Sequence, residues 1–148
     1  MAYFPDLSPC TYFGEEAGAF LYAIGWLESD HPIPSGQVSL AFFEKLMLLC
    51  KSPWRPELAP VSCGIHPCSL CRFNGVGNQR LIAGCTNVFI PFSKGLFVFP
   101  ELLPHYISAH NYAPPPEFVD AVMACPPMRS MDYLKQILPH LPTGWRTH

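Results

Sequence analysis

Charge is what this sequence has least of. Only 14% of its 148 residues are Asp, Glu, Lys or Arg, against about 25% in an ordinary soluble chain. The basic residues stand singly and the net charge is −2, so no electrostatic stripe marks a nucleic-acid-binding face. Long apolar runs are missing too. The longest, 17–27, is about half the ~20 residues a helix needs to cross a bilayer. The amino terminus, MAYFPDLSPC, lacks the basic start and apolar core of a signal peptide. Neither an internal repeat nor a second domain is visible. A nucleophile elbow is missing, and Gly75-Val-Gly77 is too short to count as a phosphate-cradling loop.

What is present in quantity is apolar and proline-rich. Hydrophobic residues make up 49% of the chain, enough to exclude disorder. The 18 prolines are more than double the usual share of about 5%, so helices and strands should be short and separated by ordered loops. A bundle of long helices is excluded on that ground. A cytoplasmic location is expected, where the seven cysteines stay reduced. Tight cysteine spacing then reads as metal ligation, because an odd number leaves one thiol over from any complete disulfide framework.

Along the chain, residues 1–16 read as an extended lead-in and 19–27, AFLYAIGWL, as a buried strand, with a short helix the alternative on pattern alone. Residues 36–50 carry apolar Val38, Phe42, Leu46 and Leu49 at helical spacing, with Ser35 as candidate N-cap and Pro53 as the stop. The runs RLIAGCTNVFIPF and LFVFP flank the turn at 93–95 and predict a β-hairpin, with a third strand at Leu81–Ile82. Pro91 places its strand at an edge or at its own end. A helix opens near Pro100 and ends near His110 to Tyr112, because Pro114 biases Ala113 away from helical geometry. Two more short helices are expected at 116–125 and 129–138. The expected fold is α+β: a single small domain, 1–148, with a zinc knuckle, a β-hairpin or small antiparallel sheet, and short helices. Its finger-like segment covers about 63–113, and its C-terminal helices 116–138.

The chemistry concentrates in GIHPCSLCRF, 64–73. Cys68 and Cys71 have the two-residue gap of a metal knuckle, and His105 and His110 follow on the helix beyond the hairpin. Thiolate and imidazole are the ligands zinc favours, and structural sites close a tetrahedron of four. The candidate metal ligands are therefore Cys68, Cys71, His105 and His110, with Zn2+ as the cofactor. There is one geometric obstacle. Positions five apart on an ideal helix point about 140° away from each other, so the last turn must loosen for both rings to reach one ion. Otherwise His66 or Cys63 completes the set, with His66 the preferred alternate ligand.

The competing account is that these side chains are simply buried, as free cysteines often are. That account is preferred for Cys10, Cys50, Cys85 and Cys125, which lie alone, while His31, His140 and His148 read as loop or tail histidines. No catalytic or organic-cofactor residue emerges. PCSLC matches half of the zinc deaminase signature, but His31-Pro-Ile33 puts isoleucine where that chemistry needs an acid. A hydrolytic zinc with three protein ligands and Glu101 or Asp120 as base is conceivable, though four good ligands make a closed site simpler. Redox use of the C-x-x-C expects a βαβ setting that is absent.

YFPDLSP (3–9), GWL (25–27), GxHxCxxC (64–71) and HYISAHNYAPPPEF (105–118) together resemble a family of small bacterial proteins of unknown function, over most of the chain. The resemblance implies that His66, Cys68, Cys71, His105 and His110 belong to one pattern, and it supplies no activity. The functional expectation is a non-enzymatic module of immunity or adaptor type, in which structural zinc pins a small fold that presents a surface to a protein partner. A metal-dependent enzyme and a nucleic-acid-binding finger using Arg72, Arg80 and Lys94 are the alternatives.

Overall fold

The computed structural model describes residues 3–56, 66–71, 83–84, 86–142 and 145, with backbone alone at 66, 67, 83 and 84. A three-stranded sheet forms its centre: β1 (Leu21–Ala23), β4 (Asn87–Phe92) and β5 (Gly95–Pro100), in the order β1-β5-β4. Every residue of β5 is buried, as its position between two strands requires. Two further short strands, β2 (His66–Pro67) and β3 (Ala83–Gly84), pair antiparallel with His66 opposite Gly84. Around these lie four helices: α1 (Leu40–Lys51), α2 (Leu103–His110), α3 (Pro116–Ala124) and α4 (Met131–Ile137). The architecture is α+β, with the expected order of knuckle, hairpin and helix.

The hairpin β4–β5 is antiparallel, pairing Val88 with Phe99 and Pro91 with Leu96. Pro91 sits in the outer strand β4, where its missing N–H leaves no central ladder bond unmade. The third strand of the sheet is β1, running parallel to β5 with Leu21 opposite Leu96 and Ala23 opposite Val98, so the sheet is mixed. The expected third strand at Leu81–Ile82 lies outside the described residues. Only 21–23 of the anticipated 19–27 strand is extended: a 3-10 helix, Glu15–Ala19, precedes it, and Gly25 takes a left-handed φ of 71° that turns the chain away. The lead-in covers the free side of β1: Leu7 N–H donates to Ala23 O, and Cys10 N–H donates to Leu21 O.

Helix α1 starts four residues later than its pattern indicated. Its N-cap is Ser39, whose Oγ accepts from Phe42 N–H at 3.1 Å. Ser35 forms an antiparallel bridge with Tyr112 instead, and Gly36 N–H donates to Asn111 O. That loop is thus committed to holding the end of α2. α4 is capped in the same way by Ser130, whose Oγ accepts from Tyr133 N–H. Tyr133 is fully buried and donates its hydroxyl to Phe89 O at 2.7 Å, which fixes α4 on the outer strand. Trp26 Nε1–H donates to Val98 O of the central strand at 3.0 Å. Phe118 of α3 packs edge-on to Phe42, Phe97 and Phe99, joining α1, α3 and β5 through one ring.

Candidate metal centre

Two elements build the site. Cys68 and Cys71 follow β2 directly, and the β2–β3 pairing holds the backbone from which they project. His105 lies in the first turn of α2 and His110 is its last residue. Pro104 occupies the opening turn, where its missing N–H costs no helical bond. Behind the helix, Leu103 packs against Gly25 so closely that a Cβ there would collide with its side chain. The GWL glycine is therefore required for its φ and for its lack of a side chain.

The end of α2 removes the angular obstacle. The N–H groups of Asn111 and Tyr112 both donate to Tyr106 O, so the closing bonds reach back five and six residues rather than four. A five-residue reach is the spacing of a π turn, wider than α. Asn111 adopts the left-handed conformation, φ 56°, which asparagine tolerates better than most residues. The turn containing His110 is loosened, and the two imidazole rings stand 5.0 Å apart, 82° to each other.

The four ligand atoms lie within 4.8 Å of one another. Cys68 Sγ is 3.6 Å from His110 Nε2, while Cys71 Sγ is 3.2 Å from His105 Nε2 and 3.4 Å from His110 Nε2. Zn–S bonds of about 2.3 Å and Zn–N bonds of about 2.0–2.1 Å at tetrahedral angles put sulfur and nitrogen about 3.6 Å apart. The three observed separations fall on or just inside that edge length. Without a metal, Cys71 can donate its S–H to one ring nitrogen and accept an N–H from the other, so hydrogen bonds also account for these contacts. A shared cation satisfies all of them.

Electrostatics agree. Cys68 is 1% exposed, and burial pushes its thiol up to about 11. A buried thiolate is tolerated beside a cation and disfavoured without one. His105 is held below the usual imidazole range, by burial first and then by His110; burial does the same to His110. Both rings are accordingly neutral near pH 7, the form that ligates a metal.

The residues expected as ligands are thus brought together. His66 is placed by its backbone in β2, and its ring lies outside the described part of the molecule, as do Cys63, Cys85 and His148. Cys10 and Cys125 are buried and Cys50 partly so, as expected of core thiols; burial raises their pKa values to about 11, 11 and 12 respectively. His31 stacks on Tyr3 at 3.7 Å. Asp120 lines a separate cavity with Lys94 and Phe92, away from the four-ligand group.

Sequence reasoning passed over the groups around the ligands. The hydroxyls of Ser69, between the two cysteines, and Tyr106, beside His105, are buried and unpartnered among the described residues. Tyr106 is held above the ordinary phenol range by burial first, then by Cys68, Glu28 and Cys71. Asp6 was also missed. Its carboxylate accepts from Gly25 N–H at 3.0 Å and from Tyr112 O–H at 2.7 Å, linking the lead-in to the end of the ligand helix. The available signal was the placement of Asp6, Gly25 and Tyr112 in three of the four motifs on which the family resemblance rests.

Knuckle, hairpin and helix gathered round two thiols and two imidazoles define a small α+β protein with a Cys2His2 cluster able to hold a metal ion. Residues 2–123 match the family described as Domain of unknown function (DUF7919), and the chain belongs to that family. The matched stretch includes all four clustered residues. No curated protein and no solved structure matches the chain.

Proposed function

We propose that Cys68, Cys71, His105 and His110 ligate one Zn2+ ion in a closed structural site, and that the protein is a non-enzymatic interaction module built on it. The observation carrying this reading is that three of the four sulfur–nitrogen separations, 3.2 to 3.6 Å, are close to the edges of a zinc tetrahedron, with all four atoms within 4.8 Å of one another. Four protein donors leave no open position for substrate or water, so the metal acts by cross-linking the knuckle to α2. Zinc contributes on the order of 10 kcal/mol in small structural sites, comparable to the whole stability of a domain. The chain then works as one zinc-binding domain in a reducing, cytoplasmic setting, since the thiols ligate only when reduced.

A protein partner is favoured by the surface. Leu40, Met47 and Leu48 of α1 are 71%, 48% and 64% exposed, and Met123 and Met131 are exposed on α3 and α4. Lys45 Nζ donates to Met123 O at 3.2 Å, which draws Met123 against α1. Flexible methionines among exposed leucines suit an adaptable protein-binding surface. Affinity capture with the zinc-loaded chain, compared with a Leu40→Ser/Met47→Ser/Leu48→Ser variant, tests this. A specific partner lost with the variant is expected. Equal capture by both chains, or a zinc-bound water that exchanges with small anions, contradicts it.

A further inference from the structure

Cationic side chains converge at one further place. Lys51, Ser52, Trp54, Arg55 and Arg129 line a surface cavity of about 670 Å3 beside the end of α1, and no carboxylate is among the described lining residues. Three of the chain's nine lysines and arginines thus meet in a molecule of net charge −2. Arg55 Nη2 donates to Thr86 Oγ1 at 2.8 Å and Arg129 Nη1 donates to Ser52 Oγ at 3.4 Å. Each uses one of the five N–H groups of a guanidinium. No ion pair neutralises any of the three cations among the described residues.

Helix electrostatics account for only part of the cluster. Lys51 is in the last turn of α1, where it offsets the negative pole. Arg55 and Arg129 lie beyond the helix and are left over. Trp54 forms part of the cavity wall. It is 5% exposed, and its indole Nε1–H is buried without an acceptor among the described residues. The ring is steadied edge-on against Phe89 at 5.6 Å. Arg129 also holds a φ of 67°, a conformation few non-glycine residues adopt and one that recurs at ligand clamps.

We infer that this cavity is an anion site for a phosphate group, either free or carried by a small phosphomonoester. Arg55 and Arg129 supply planar forks matched to its oxygens, Lys51 a point charge, and Trp54 a wall of the cavity. Three cations exceed what one carboxylate neutralises and suit a dianion. The site is separate from the metal cluster and takes nothing from it.

The test uses the full zinc-loaded chain and the indole N–H resonances of its tryptophans. The Trp54 signal is assigned by its loss in Trp54→Phe, and Trp26, already donating to Val98 O, is the internal reference. Inorganic phosphate, glycerol phosphate and acetate are titrated at constant ionic strength. Saturable movement of Trp54 with phosphate, Trp26 unmoved, is expected, with binding weakened roughly 10- to 100-fold in Arg55→Gln/Arg129→Gln. Tighter binding of glycerol phosphate assigns the small-molecule source, and equal binding assigns free phosphate. A stationary Trp54 signal, an equal response to acetate, or undiminished binding by the double variant overturns the inference.

Discussion

The Tyr112 hydroxyl donates to Asp6 Oδ2 at 2.7 Å, across 106 positions of sequence. The other oxygen of the same carboxylate receives Gly25 N–H. One half-buried side chain thereby ties the lead-in to the turn after β1 and to the exit from α2. Since His110 is the last residue of α2, this tie bears on the geometry of the Cys/His cluster without touching it.

Replacing Asp6 tests that tie. Asp6→Ala leaves Gly25 N–H and Tyr112 O–H without their acceptor and is expected to cost about 1.5–3 kcal/mol. Asp6→Asn, which keeps an oxygen for Gly25, should cost less. Urea denaturation of both variants, with zinc bound, measures the difference.

The same carboxyl carries a pH signature. Asp6 is raised from 3.8, by burial first, with the bonds from Gly25 and Tyr112 pulling partly the other way. The folded chain therefore binds this proton more tightly than the unfolded chain. Its contribution to stability is full below pH 3.8 and is lost as pH rises through the higher folded value. The stability of the native chain minus that of Asp6→Asn should fall across that acidic window and level off above it. A difference that rises with pH contradicts the reading.

Gly25→Ala places a side chain at φ 71° and against Leu103. A loss of roughly 1–3 kcal/mol is expected, and because Leu103 opens α2, zinc affinity should weaken with stability. Thermal melting with and without zinc reads both effects.

Zinc binding should strengthen as pH rises through neutrality. The Cys68 thiol, pushed up to about 11 by burial, must lose its proton on ligation, whereas the two histidines, held below their ordinary range, compete little. Competition with a chromophoric chelator at several pH values gives the slope. His110→Ala should weaken binding at every pH, while His66→Ala should leave it unchanged. The reverse result would transfer the fourth ligand to His66.

The parts of this molecule written in local chemistry were readable in advance. The C-x-x-C spacing named Cys68 and Cys71, and branched and aromatic runs around a glycine turn located β4 and β5. Pro53 and Pro114 stopped their helices close to where proline must. What was not readable depends on distant partners. No local pattern around Leu21 says that it will lie parallel to Leu96, because the pairing is set by how the lead-in and α2 pack around it. Ser35 and Ser39 are equally good caps in isolation, and the bridge from Ser35 to Tyr112 decides between them. The loosened turn at His110 likewise follows from two N–H groups sharing Tyr106 O, although the five-residue histidine spacing demanded some such distortion.

Native mass spectrometry of the purified chain, before and after a strong chelator and with far-ultraviolet circular dichroism on the same samples, tests the central claim most directly. One zinc per chain, retained under mild conditions, lost to the chelator together with helical signal and absent from Cys68→Ser, is the predicted result. A chain that stays fully folded without metal, or that takes up no zinc when reduced and supplied with it, would contradict the account.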